Sequence, residues 1–127
     1  MIIPTYVLVI VLATLVIKMR SENYRNITYT IKDNSGCVEG YGIKNSTVIF
    51  FYSELCPHCQ NMIPIVKNLE SQGYEFYWAQ TDSDVMLDCY QNLINDGVPQ
   101  FICPSKNKRI LGEISIPDLK SFANYCR

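Results

Sequence analysis

The sequence predicts an α/β sandwich, in which helices cover a mixed central sheet. Three observations support this fold class. Segments with strand character alternate with segments that repeat apolar residues at helical spacing. Residues 47–52 form a continuous apolar run, which is typical of a strand buried on both faces. The length of 127 residues and the hydrophobic content of 48% fit one packed domain.

The first half of the chain contains two predicted strands and one clear helix. In order, we expect a short strand, a turn, a helix or loop, and the buried strand: residues 27–31, 33–36, 37–43 and 47–52. A helix then begins at Pro57 and ends near Gly73. Pro64 should kink this helix, because its ring removes an internal hydrogen bond. The helix presents one apolar stripe: Met62, Ile63, Val66 and Leu69.

The second half continues the alternation. We expect a strand, a helix, two strands joined by a turn at 105–108, and a final helix: residues 74–79, 82–95, 99–103, 109–113 and 116–126. The helix at 82–95 should bury Met86, Leu87, Tyr90 and Leu93. The final helix should bury Leu119, Phe122 and Ala123.

The charge balance excludes one class of partner. The 11 basic and 12 acidic residues give a net charge of −1, whereas nucleic-acid-binding domains carry a basic surface. We therefore expect no nucleic-acid partner. The chain has no internal repeat, and its hydrophobic content is too high for a disordered protein. A small domain with six cysteines remains.

The N-terminal segment has the character of a membrane anchor. Residues 2–17 contain no charge and would span about 24 Å as a helix, against a hydrocarbon core of about 30 Å. Lys18 and Arg20 can extend their charged ends to the interface. A cleaved signal peptide is the alternative, but the small-residue pattern at 11–13 lies inside the apolar run. We expect a signal anchor at 1–20, a linker at 21–26 and a folded domain at 27–127.

The orientation of the domain follows from two opposing signals. Lys18, Arg20 and Arg25 follow the apolar segment, which by the positive-inside rule places the domain in the cytosol. The six cysteines and the glycosylation sequons at 26–28 and 45–47 favour the opposite side. We give the cysteines more weight and expect an extracytoplasmic domain, with a secreted form as the alternative.

The chemistry of the sequence is concentrated at Cys56-Pro57-His58-Cys59. The motif follows a buried strand and opens a helix, where unpaired N–H groups and the helix dipole favour an anion at Cys56. These interactions lower a thiol pKa and increase the thiolate fraction, which is the nucleophile. His58 adds a dipole, or a positive charge when protonated, beside the sulfur. Cys59 lies one turn further and can resolve a mixed disulfide formed at Cys56.

The motif and its surroundings resemble the thioredoxin superfamily over about residues 27–126. A cysteine pair follows the central strand, and Pro64 matches the helix-kinking proline of that superfamily. Val98-Pro99 matches its cis-proline loop, and Gly112 precedes the last helix as in the family. The resemblance implies a thioredoxin-like fold, in which Val98 and Pro99 hold the substrate backbone beside the sulfurs.

Within this superfamily, the Pro-His dipeptide resembles the periplasmic disulfide oxidases of the DsbA type. Residues 50–53 and Val98 add to that likeness. The helical insertion of those oxidases is missing, so the frame is thioredoxin-sized. Phe50 stands where the family has a buried acid that helps to deprotonate the second cysteine, which makes rapid reduction of substrates unexpected.

Four further cysteines have no catalytic spacing, and the residues alone leave three pairings open. The thioredoxin-like arrangement implies two structural disulfides: Cys37–Cys89, whose helices would lie on one face of the sheet, and Cys103–Cys126, which would join a strand to the last helix.

The sequence thus predicts a membrane-anchored thiol–disulfide oxidoreductase for cysteine-containing exported proteins. Its expected catalytic residues are Cys56, Cys59 and His58, and its expected substrate-binding residues are Pro57, Val98 and Pro99. We expect no metal and no cofactor besides the redox-active Cys56–Cys59 disulfide, with a membrane disulfide-generating oxidase as a possible partner.

Two alternatives stay open at this stage. A glutaredoxin-like reductase is suggested by residues 98–102, although Leu111-Gly112 replaces the glycine pair of that family. A copper- or zinc-binding protein is the non-enzymatic alternative, since two cysteines, His58 and a further cysteine could form a tetrahedral site.

Overall fold

The computed structural model describes residues 28–127. The predicted anchor at 1–20, the linker at 21–26 and Ile27 lie outside the described residues, so these expectations stay predictions. Within residues 28–127, no helix has the length and apolar character needed to cross a membrane.

Five strands form one mixed sheet. They are Thr28–Thr30 (β1), Val48–Tyr52 (β2), Phe76–Gln80 (β3), Gln100–Cys103 (β4) and Lys108–Leu111 (β5). Their order across the sheet is β1-β5-β4-β2-β3. Only β2 and β3 run parallel, whereas the other neighbours are antiparallel. The mixed sheet and its flanking helices confirm the predicted fold class.

The helices connect these strands in the expected order, with one interruption. They are Ser35–Glu39 (α1), Pro57–Ser71 (α2), Asp84–Cys89 (α3), Gln91–Ile94 (α4) and Ile116–Cys126 (α5). Helix α1 occupies part of the segment for which the sequence left helix or loop open. Helix α2 contains Pro64 and buries Cys59, Met62, Val66 and Leu69, whereas Ile63 is only partly buried.

Strand β2 divides the core into two halves. Its five residues are all buried, as the continuous apolar run predicts. Val48, Phe50 and Tyr52 pack against the α2 and α5 side, and Ile49 and Phe51 pack against the α3 and α4 side. Successive strand side chains point to opposite faces, so this one strand supplies both halves.

The helix predicted at 82–95 is interrupted, which corrects the sequence-based interpretation. Tyr90 has φ −135° and ψ 32°, so it ends α3 and precedes α4. Its side chain is 1% exposed and belongs to the core. Leu87, expected to be buried, is 46% exposed, because α3 turns Val85, Met86 and Cys89 inward instead.

A tight reversal joins β4 to β5, and a glycine ends β5. A short 3₁₀ helix, Pro104–Lys106, and Asn107 in the left-handed region (φ 53°) make the reversal. Strand β5 begins and ends earlier than predicted, at Lys108 and Leu111. Gly112 then takes a φ of 86°, which a side chain rarely allows, and redirects the chain out of the sheet.

Candidate active site

Cys56 occupies the N-cap of helix α2. Its backbone is extended (φ −85°, ψ 122°), and Pro57 follows at a position where no backbone N–H is required. The Cys59 backbone N–H donates to the Cys56 Sγ at 3.4 Å. A strand that ends in the core and a helix that begins at proline therefore hold this sulfur at the helix N-terminus.

The electrostatic surroundings favour a thiolate at Cys56. Partial burial acts to raise the pKa of the Cys56 thiol, but hydrogen bonds oppose this effect. They come from the Cys59 thiol and from the backbone N–H groups of Cys59 and His58, and they hold the pKa of Cys56 below its usual value. The result is a partly exposed sulfur with an increased thiolate fraction.

Cys59 has the opposite environment. Its side chain is fully buried in the core between α2 and the sheet. Burial raises the pKa of the Cys59 thiol to about 11, and the neighbouring Cys56 sulfur adds to this effect. At neutral pH the Cys56 sulfur is therefore the nucleophile of the pair, whereas the Cys59 sulfur is buried and protonated.

The cis-proline loop lies against the Cys56 sulfur. The Val98–Pro99 peptide bond is cis. The Cys56 thiol points to the Val98 carbonyl oxygen at 3.7 Å, and Pro99 is buried. Two segments that are 42 residues apart in the sequence thus meet at the reactive atom.

His58 contacts a residue that the sequence did not identify. Its ring is 70% exposed, and Nδ1 lies 3.1 Å from the Glu113 Oε2. This contact lowers the pKa of the Glu113 carboxyl. The sequence predicts an effect of the His58 ring on the Cys56 sulfur, whereas the hydrogen bond that His58 contributes to Cys56 comes from its backbone N–H. The sequence signal that could have pointed to Glu113 is Gly112, which redirects the chain immediately before it.

Phe50, the position at which the resemblance implies a buried acid, is completely buried. Its ring stacks on Tyr52 and Phe101 with centroids 5.0 and 5.1 Å apart, and it meets Trp78 edge to face. Aromatic packing thus fills this position in the core.

The four remaining cysteines form two disulfides in the structure. Cys37 is joined to Cys89 and Cys103 to Cys126, with Cα atoms 5.7 and 5.6 Å apart. These are the pairs implied by the thioredoxin-like arrangement. Cys56 and Cys59 are the free cysteines of the described residues. Within residues 28–127, no three side chains of the metal-binding types cluster as a metal site would require.

A sheet of this order, with a cysteine pair opening a helix and a cis-proline facing it, defines the class of thioredoxin-fold proteins. Residues 39–124 match the thioredoxin family model, which covers more than half of the chain. The chain therefore belongs to the thioredoxin family. No curated protein matches the chain significantly. The family and the cysteine pair together indicate a function of the thiol–disulfide oxidoreductase type.

Proposed function

We propose that the chain is a membrane-anchored thiol–disulfide oxidoreductase that oxidises or isomerises cysteines of exported proteins through Cys56 and Cys59. The contrast between the two sulfurs carries this proposal. One lies partly exposed at a helix N-terminus with a lowered pKa, and the other is buried with a pKa of about 11.

The oxidation cycle transfers two electrons from the substrate to the enzyme. A substrate thiolate attacks the Cys56 Sγ of the enzyme disulfide, the Cys56–Cys59 bond breaks, and the Cys59 sulfur takes up a proton. A second substrate thiolate then attacks the substrate sulfur of the mixed disulfide, and Cys56 leaves as a thiolate. The products are a substrate disulfide and the reduced enzyme. Oxidation by a disulfide-generating membrane oxidase would regenerate the enzyme.

Two features favour oxidation and isomerisation over reduction. Reductive release requires a Cys59 thiolate that attacks the mixed disulfide, and the raised pKa of Cys59 makes this thiolate rare at neutral pH. Phe50 supplies no carboxylate to remove the proton. A mixed disulfide at Cys56 therefore persists long enough for a second substrate thiolate to attack it.

The surface around Cys56 suits an extended polypeptide. Leu55 precedes the nucleophile and is 90% exposed, so an apolar side chain of a substrate can cover it. The Val98 carbonyl of the cis-proline loop lies 3.7 Å from the same sulfur. Backbone groups of this loop would bind the substrate chain, and Pro57 would border the same surface.

The proposed location rests on the cysteines and on the N-terminal segment. Disulfides such as Cys37–Cys89 and Cys103–Cys126 persist in oxidising compartments. Residues 2–17 would hold the domain at the membrane in such a compartment, close to exported chains.

Trapping of mixed disulfides tests the assignment. A Cys59→Ala variant should accumulate disulfide-linked complexes with exported proteins on non-reducing gels, because its Cys56 thiolate still attacks substrate disulfides while no second enzyme sulfur can release the mixed disulfide. Cys56→Ala is the matched control and should form none. Equal trapping by both variants, or trapping by neither, would contradict the assigned roles.

A further inference from the structure

Gln100 is a fully buried polar residue at the start of β4, immediately after the cis-proline. Burial of an amide costs free energy unless its hydrogen-bonding groups are satisfied. Its Nε2 donates to two backbone carbonyl oxygens, those of Leu93 at 2.7 Å and Gly97 at 2.8 Å. Both carbonyls belong to the chain that leads from α4 into the cis-proline loop.

The oxygen of the Gln100 amide accepts a hydrogen bond from Arg109. The guanidinium Nη1 donates to the Gln100 Oε1 at 3.0 Å, and its Nη2 lies 2.7 Å from the Asp96 Oδ2. The Arg109 side chain is only 13% exposed. Asp96 immediately precedes Gly97, so the network begins and ends on the same loop.

This network fixes the residues that enter the cis-proline loop. At the next residue of the loop, the Cys56 thiol points to the Val98 carbonyl. The Gly112 N–H also donates to the Pro99 carbonyl at 2.8 Å. The carbonyls on either side of Val98, those of Gly97 and Pro99, thus accept hydrogen bonds from within the domain. The Val98 carbonyl is the one directed at Cys56.

We propose that Gln100 and Arg109 are positioning residues that hold the Val98–Pro99 loop in the geometry needed to bind a substrate chain beside Cys56. The proposal rests on the function proposed above and adds the residues that set its substrate-binding loop. Neither residue touches the reacting atoms, so their effect reaches the site through the backbone of residues 96–99.

The variant Gln100→Glu tests this proposal with almost no change in side-chain shape. The carboxylate retains an acceptor for Arg109 but loses both donors to the Leu93 and Gly97 carbonyls. The KM for a reduced substrate protein should rise roughly tenfold, the factor that corresponds to about 1.4 kcal/mol. The pH profile of Cys56 alkylation should stay unchanged, because the N–H groups at the start of α2 are intact.

Lys108→Gln is the matched control for charge. It also makes the chain more negative by one charge, and it lies on β5 beside Arg109. Its Nζ contacts only the exposed Thr30 hydroxyl at 2.6 Å among the hydrogen bonds described for it. Its KM should equal that of the wild type. Arg109→Lys serves if Gln100→Glu does not fold, because lysine cannot hold Asp96 and Gln100 with a planar fork. The Arg109→Lys variant should also raise the KM, but by a smaller factor than Gln100→Glu.

The full chain in detergent is used throughout, and wild-type activity is measured first. An inactive wild type would contradict the proposed function, and hydrogen exchange at Gly97 and Val98 would then decide the positioning role. Faster exchange at these residues in Gln100→Glu, with unchanged exchange in α2, supports that role. An unchanged KM in folded Gln100→Glu, or unchanged exchange at Gly97 and Val98, would overturn it.

Discussion

At the scale of the residue, the thiolate at Cys56 is stabilised first by the Cys59 thiol and then by backbone N–H groups. Its sulfur receives hydrogen bonds from the N–H groups of Cys59 and His58, whereas the His58 ring lies against Glu113. The disulfide form carries no charge, so these N–H groups stabilise the reduced enzyme selectively. Residue 58 can therefore affect the reduction potential through its side chain and, separately, through its backbone N–H group.

Substitution of His58 separates the ring from the N–H group. His58→Pro removes both and should raise the pKa of Cys56. Loss of about 1 kcal/mol of hydrogen bonding should lower the reduction potential by roughly 20 mV. His58→Ala retains the N–H and should change both quantities less. The measurements are the alkylation rate of Cys56 against pH and equilibration with a glutathione redox buffer. Equal effects of the two variants would mean that the ring, not the backbone, stabilises the thiolate.

The reactive pair was predictable from the sequence because its chemistry is local. A helix N-terminus that follows a buried strand identifies Cys56 and Cys59 within four consecutive residues. Glu113 and the Gln100–Arg109 contact were not predictable, because each joins segments that are far apart or on separate strands. Their positions depend on the left-handed Gly112 and on the register between β4 and β5, which no local pattern encodes.

At the scale of the element, the two disulfides occupy different environments. Cys37 is exposed on the five-residue helix α1, and its partner Cys89 is 5% exposed at the end of α3. Cys103 and Cys126 are both completely buried, between β4 and α5. A thiolate reductant can reach Cys37 without any unfolding, whereas the Cys103–Cys126 bond becomes accessible only when α5 separates from the sheet.

Reduction of the native protein should therefore proceed in order. With increasing dithiol concentration, Cys37–Cys89 should open first, and Cys103–Cys126 should open only near global unfolding. Differential alkylation followed by peptide mass analysis measures both bonds in one sample, so the buried bond is the internal control. Protein from its native compartment should contain no free thiol at these four positions. Simultaneous reduction, or the reverse order, would contradict the contrast in exposure.

The break between α3 and α4 shows why element boundaries were harder to predict than element types. The apolar spacing across residues 82–95 is compatible with one helix. In the structure, the Tyr90 ring fills the core while its backbone leaves the helical region. The segment that follows ends at the cis-proline loop, and the buried Gln100 amide binds the Leu93 carbonyl there. Long-range packing and hydrogen bonding thus override a periodic sequence pattern at this point.

At the scale of the whole molecule, redox state and folding stability are linked by a thermodynamic cycle. Folding places the Cys56 sulfur at the α2 N-terminus, and unfolding removes that environment. The reduced chain therefore gains folding free energy that the chain with a Cys56–Cys59 disulfide does not gain. Each 30 mV by which the folded pair is more oxidising than the unfolded pair corresponds to about 1.4 kcal/mol of extra stability in the reduced form.

The reduced full chain in detergent should accordingly unfold at a higher denaturant concentration than the oxidised chain, with the other two disulfides kept intact. Because the folded pKa of Cys56 lies below its unfolded value, its contribution should grow as the pH rises from the folded to the unfolded pKa and should disappear below the folded pKa. Above the unfolded pKa, the raised pKa of the Cys59 thiol should oppose this contribution. The oxidised chain has no Cys56 thiol to titrate and serves as the control across the same pH range. Denaturant midpoints measured at a series of pH values test both parts. A reduced form that is less stable than the oxidised form at neutral pH would contradict an oxidising role and would favour a reducing one.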